Sequence, residues 1–323
     1  MRAVSRPSTT VFVLALAIAL SGCAGDAEGG PENVAEEPAS ASAAREIRVS
    51  EAGFETPESV LHDEAADVYL VSNIGGDPLG KDDNGFISRL SPDGQVLDLR
   101  WIDGAAEGVD LSAPKGMAIV GDSLYVSDID CVRVFHRTTG AAAGSVCFEG
   151  ATFLNDVAAD EQGALHVTDS GLTTGFAPSG TDAVWRFTPG GETTRVAEGT
   201  ELGSPNGIAF GPRGGYVVTF GSGGIFRLVD GGREEVLPPA EGRQLDGIAF
   251  TPDGGFLFSS WGESAVFHVA ADGNVQRVVE DVDAPADIGY DARRGRVLIP
   301  LFNANEVLIR ELGVLPAAGA PVG

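Results

Sequence analysis

The sequence predicts an all-β fold, a six-bladed β-propeller with four-stranded blades closed by an N-terminal strand. Three observations carry that expectation. A phrase of apolar strand, Asp/Gly-rich turn and second apolar strand recurs along the chain, with heads 40 to 57 residues apart, about the length of one propeller blade. Helical periodicity is absent beyond the first residues, and 45 glycines and 18 prolines punctuate the chain. The last copy holds three evident strands, and a strand-like segment, "REIRVS" at 45–50, precedes the first copy and can complete it.

The copies begin "PESVLHDEAADVYLVSN" at Pro57, "PKGMAIVGDSLYVSD" at Pro114 and "LNDVAADEQGALHVTD" at Leu154. "PNGIAFGPRGGYVVTF" at Pro205, "LDGIAFTPDGGFLFSS" at Leu245 and "ADIGYDARRGRVLIPL" at Ala286 follow. Their head residues read Glu58, Lys115, Asn155, Asn206, Asp246 and Asp287. With each first strand starting at the top of the channel, the heads and the ends of the second strands share one face. The short turns occupy the other. Two long connections fall on the head face, "NIGGDPLGKDDNG" in blade one and "DSGLTTGFAPSGTD" in blade three, where they can wall a site.

Outside the repeats, residues 1–22 carry two arginines, an apolar run from Val11 to Leu20 and the ending "LSGC". This reads as a secretory signal, too short to span a bilayer. The ending resembles a bacterial lipobox, which implies that Cys23 is the lipid-bearing first residue of an exported chain anchored to a membrane; the alternative is an ordinary cleaved signal with a chance cysteine. Ala24 after the cysteine points to the outer membrane in a two-membrane cell, and otherwise the domain sits on the cell surface. Residues 23–45 form an acidic, flexible tether with almost no large apolar side chain. The propeller spans 46–314, and 315–323 is a tail. A formal net charge of −26 excludes a phosphate backbone as partner and suits cations. Cys131 and Cys147 flank a hairpin turn near Thr139, which places them opposite each other. In an oxidising compartment this predicts a disulfide.

The frame around the heads repeats while the heads vary, so the heads answer to something at the centre. Carboxylate and amide oxygens suit a hard cation, calcium above all, and the lack of Cys and His among the heads argues against a zinc-type cage. The alternative is that Asn and Asp before Gly simply make turns. His62, His136, His166 and His268 all fall within predicted strands away from the heads.

The phrases "PESVLHDEAADVYLVSN", "LNDVAADEQGALHVTD", "SPNGIAF" and "LDGIAFTPDGG" resemble the regucalcin/gluconolactonase family of six-bladed propellers and, more distantly, paraoxonases. The resemblance covers nearly all of residues 50–312. It implies a divalent cation on Glu58, Asn206 and Asp246, with Asn155 near both metal and substrate and Asp156 beside it. It also implies that Asp246 serves as acid–base partner and that Asn155 orients the substrate. The expected substrate-binding residues are Asn155, Asp156, Lys115 and Asp287. The activity implied is metal-dependent hydrolysis of a small cyclic ester by a monomer.

Two departures stand out. Phe153 occupies a place where gluconolactonase-like members often carry Arg. Lys115 sits at a head position, where it must point away, pair with Asp287 or Asp128, or contact an anionic substrate. These departures favour the alternative, a non-catalytic lipid-anchored propeller that binds a ligand or protein around a structural cation.

Overall fold

The computed structural model describes residues 45–230 and 232–313. The signal segment, Cys23, nearly all of the tether and the C-terminal tail lie outside the described residues. Among the described residues no helix is long and apolar enough to cross a membrane.

Six four-stranded antiparallel sheets form the six blades, each running outward from the central channel. The innermost strands of blades one to five are Pro57–Asp63, Pro114–Val120, Leu154–Ala159, Pro205–Gly211 and Leu245–Phe250. Blade six runs Gly289–Asp291, Arg296–Leu301 and Glu306–Glu311. Its outer strand is Glu46–Val49, paired antiparallel with Ile47 opposite Ile309. The two ends of the chain therefore close the ring, as the "REIRVS" segment predicts, and each blade keeps its outer strand as an edge.

Burial follows position in the blade. The second strands Val68–Asn73 and Arg296–Leu301 are buried at every residue, so they show no alternation. Outer strands such as Ala142–Cys147 are exposed at most positions. The core lies between blades rather than in one place. Leu124, Val126 and Phe135 of blade two pack on Leu70 and Ile87 of blade one, and Leu165, Trp185 and Phe187 of blade three pack on Ala118, Tyr125 and Val132 of blade two. Val49 and Ile309 meet Tyr69, Val71 and Leu90 across the closure.

Cys131 and Cys147 face each other across the third and fourth strands of blade two and are joined as a disulfide.

Two local devices shape the channel. Strand pairing slips by one residue at the head of every first strand in blades one to five: between Pro57 and Ser59, Pro114 and Met117, Leu154 and Val157, Pro205 and Ile208, and Leu245 and Ile248. A bulge of this kind re-aims the side chain it carries. The residue after the head is Gly116, Gly207 or Gly247 in three blades because neighbouring blades crowd there. A Cβ at 116 would stand 2.0 Å from Asp156 Oδ1, and one at 247 would stand 2.3 Å from Ile288 N.

The pairing corrects one head. Pro285 bridges Leu301 and Gly289 pairs Leu298, the same slip seen around Asn155. In addition, Ser259 Oγ donates to Ala286 O, just as Ser127 Oγ donates to Asn155 O and Thr168 Oγ1 to Asn206 O. The sixth head is therefore Ala286, and Asp287 is equivalent to Ser59, Gly116 and Asp156, one residue deeper in the channel.

Candidate functional site

Five heads, Glu58, Lys115, Asn155, Asn206 and Asp246, line one cavity of about 290 Å³ at the top of the channel. Each is brought there by the bulge at the start of its first strand. Ser170 and Gln244 join them, and Phe153, Phe220, Trp261 and Phe302 form much of the wall. Pro78 from the long blade-one connection and Leu172 and Phe176 from the blade-three connection complete it, so both long loops do flank the site.

Glu58, Asn155, Asn206 and Asp246 are each about 4% exposed. Glu58 Oε2, Asn155 Oδ1, Asn206 Oδ1 and Asp246 Oδ1 are buried and have no hydrogen-bond partner. Leaving one such oxygen unmatched costs about 1–3 kcal/mol, and more for a charged group. Four from four blades aimed into one cavity form an acceptor-only set that fits a hard divalent cation. Among the described residues no group of three or more His, Cys, Asp or Glu side chains has metal-holding geometry. This set is instead two carboxylates and two amides.

The electrostatics agree with a site short of positive charge. Burial pushes the Glu58 carboxyl well above the usual carboxylate range; the charges of Asp246 and Asp287 add to this, while Lys115 opposes it. Burial, then the charge of Asp287, raises the Asp246 carboxyl, with the Trp261 side chain pulling it back. Asp287 is pushed up to about 7 by burial, against the bond it accepts from Ser59.

Lys115 is 1% exposed. Its Nζ donates to Ala113 O at 2.9 Å and Pro78 O at 3.2 Å and lies 4.6 Å from the centroid of Phe153. Of the three alternatives for Lys115, pairing with Asp287 or Asp128 is not made. Asp128 accepts from Ala113 N and Arg133 Nε, and Asp287 accepts from Ser59 Oγ. Burial lowers the Lys115 pKa, and the charges of Glu58, Asp128 and Asp77 raise it.

Asp156 and Asp287, expected to touch substrate, are not in this lining. Asp156 accepts from Val157 N and Ile208 N, both at 2.7 Å. Both acids face the lower channel, among Ile208, Ile248 and Ile288. Their side chains occupy space that glycine leaves at 116 and 247, which is a structural reason for the acids to sit there. The histidines stay away from the heads: His62, His166 and His268 lie beside Asp67, Asp160 and Asp253 of the short turns, at 3.2–3.3 Å.

Sequence reasoning missed the aromatic wall. Its signal is legible in retrospect: Ile74, Ile129, Ser170, Phe220, Trp261 and Phe302 each follow directly on a second strand, so they are one repeat position.

The fold and site thus define a six-bladed propeller with an oxygen-lined cavity at the channel mouth. The chain shares this fold with a gluconolactonase from Xanthomonas campestris (21% identity, TM-score 0.63, 83% of this chain and 90% of that one). It is also similar to regucalcin, a calcium-binding protein, from Agrobacterium tumefaciens (18%, 0.58, 80% and 90%) and to virginiamycin B lyase from Staphylococcus aureus (12%, 0.60, 84% and 100%). The structural neighbours therefore include gluconolactonase and regucalcin propellers, in keeping with the resemblance in the repeat phrases. No family model and no curated protein matches the sequence.

Proposed function

We propose that the protein is a divalent-cation-dependent hydrolase of small cyclic esters, a lactonase, acting at the channel mouth. The observation that carries this reading is the set of four buried, unpartnered oxygens on Glu58, Asn155, Asn206 and Asp246. These residues would hold the cation, with calcium the best fit to their chemistry. When bound, such a cation stabilises the negative charge that develops on an ester carbonyl oxygen.

The chain's own groups supply the rest. Asp246 accepts the proton of the attacking water and returns it to the ring oxygen as the acyl C–O bond breaks, leaving a hydroxy acid. Asn155 orients the substrate beside Asp246. Lys115 spends two of its three ammonium donors on Ala113 O and Pro78 O. The third is left to hydrogen-bond a substrate oxygen.

One neighbour is a lyase, and a histidine-to-alanine variant of that enzyme is described as catalytically inactive. None of the histidines of this chain lines the cavity, which favours the hydrolase over a lyase. A second reading, a ligand-binding propeller with a structural cation, draws on Lys115, whose positive charge beside Glu58 opposes a dication. Export with a lipid on Cys23 is part of the proposal. It is supported by "LSGC" and by the pairing of Cys131 with Cys147, which suits an oxidising compartment.

The test is a lactone panel assayed with calcium and with excess chelator. Chelator-sensitive hydrolysis that disappears in Asp246→Asn supports the hydrolase. Calcium binding without turnover of any lactone supports the ligand-binding reading.

A further inference from the structure

The repeat position after the second strands does more than close the cavity. Phe220, Trp261 and Phe302 occupy it in blades four, five and six, and they touch in series. Phe220 and Trp261 have ring centroids 5.4 Å apart at 85°, and Trp261 and Phe302 have centroids 5.0 Å apart at 54°. From blade three, Phe153 and Phe176 form a second aromatic surface, 6.2 Å between centroids. Phe176, at the tip of the blade-three connection, is 58% exposed.

We propose that the substrate is a cyclic ester carrying an apolar alkyl or aryl substituent, seated between these two aromatic surfaces, and not a polyhydroxylated sugar lactone. The proposal rests on the cavity being an ester-hydrolysing site, and it names the substrate class of that site.

The hydrogen-bonding groups on offer decide the matter. A polyol lactone brings several hydroxyls, each of which loses water on entry and costs free energy unless rebonded. Glu58, Asn155, Asn206 and Asp246 are committed to the cation set. Ser170 Oγ is already donated to Pro205 O at 2.7 Å, and Lys115 keeps one donor. Gln244, the Nδ2 groups of Asn155 and Asn206, and Trp261 Nε1, which has no partner, are then the remaining polar groups of the lining. Nearly all of these are donors, so they leave the donor hydrogens of a ring of hydroxyls unmatched. Phe153 adds aromatic surface and no hydrogen-bonding group to the same wall. A half-open aromatic rim gains instead from covering with apolar surface, at about 25 cal/mol per Å² buried. Exposed apolar side chains at the mouth of a cleft mark binding surfaces of this kind.

The experiment compares three lactones of one ring size on the calcium-loaded protein: δ-valerolactone, δ-decalactone and glucono-δ-lactone. The expected result is a kcat/KM for δ-decalactone at least roughly tenfold above that for glucono-δ-lactone. Phe220→Ala and Phe302→Ala should each reduce the advantage of δ-decalactone over δ-valerolactone, by about tenfold. Preference for glucono-δ-lactone, or an advantage that survives both substitutions, overturns the proposal. If no lactone is hydrolysed, the hydrolase reading fails and binding decides the ligand class. Quenching of tryptophan fluorescence by δ-decalactone but not glucono-δ-lactone, lost in Trp261→Phe, would still support it. Equal quenching by both, or none, would overturn it.

Discussion

The Lys115 ammonium nitrogen stands 4.6 Å from the centre of the Phe153 ring, in the same cavity as Glu58. A fully buried cation is thereby held by two carbonyl oxygens and an aromatic face, with no carboxylate bonded to it. Both residues are departures from the resembled family, and the structure shows that they support one another.

Lys115 and a divalent cation draw on the same negative charge. Replacing the ammonium by a methionine of similar length should therefore tighten calcium binding, by about fivefold or more at neutral pH. Calcium titration of Lys115→Met checks this. Unchanged or weaker binding would mean that Lys115 supports the cation site.

The raised carboxyls make the metal-free protein sensitive to pH in a defined direction. Asp287 goes from an ordinary value of 3.8 to about 7 on folding, so between those values the folded state holds more protons than the unfolded chain. Stability from this group is full at low pH and is lost as pH rises through about 7. Asp63, Asp160 and Asp291, held below their ordinary range, act oppositely and at lower pH. Thermal unfolding of chelator-treated protein should fall in midpoint between about pH 4 and 7. The slope should be shallower in Asp287→Asn and largely removed by excess calcium. A flat profile in that window contradicts the buried-acid account.

The glycine that follows the head in blades two, four and five is a packing requirement. Gly247→Ala brings a methyl to 2.3 Å from Ile288 N and 2.6 Å from Asp287 Cα, both backbone atoms of the next blade. The expected loss is about 1–3 kcal/mol in denaturant unfolding. Gly232, on an outer strand with nothing within 4 Å of a Cβ, should accept alanine without loss. Equal effects at the two positions would refute the crowding.

These glycines also show what was legible in the sequence. The frames "NGIAF" and "DGIAF" repeat because the backbone at the channel demands it, and the heads vary because they do not serve the backbone. That contrast marked the heads as a group, the resemblance in the repeat phrases singled out Glu58, Asn155, Asn206 and Asp246 among them, and the strand-sized segment at 45–50 made the ring closure visible. The sixth head was misplaced because an acid in "ADIGY" drew attention one residue past Ala286. The pairing of Pro285 with Leu301 and the bond from Ser259 Oγ to Ala286 O fix that register. Pro78 could not be foreseen as a Lys115 partner, since it comes from a long loop of another blade. Phe220, Trp261 and Phe302 were legible as a repeat position, but apolar residues at strand ends look like ordinary core.

The disulfide should contribute independently of the site. It closes a loop with a sequence separation of 16, and the chain-entropy account gives about 3 kcal/mol for a loop near that length. Replacing Cys131 and Cys147 together by serine should lower unfolding free energy by about that amount and leave calcium affinity unchanged. A large loss of calcium affinity would show that blade two positions Lys115 or its neighbours more tightly than supposed.

The central claim, that Glu58, Asn155, Asn206 and Asp246 hold one divalent cation, is tested most directly by calcium titration calorimetry on the wild type and on Asp246→Asn. The substitution preserves shape and removes one of the two carboxylate charges in the set. The account predicts a single calcium site in the wild type and at least about tenfold weaker binding in the variant. No calcium binding in the wild type, or the same affinity in both, would contradict it.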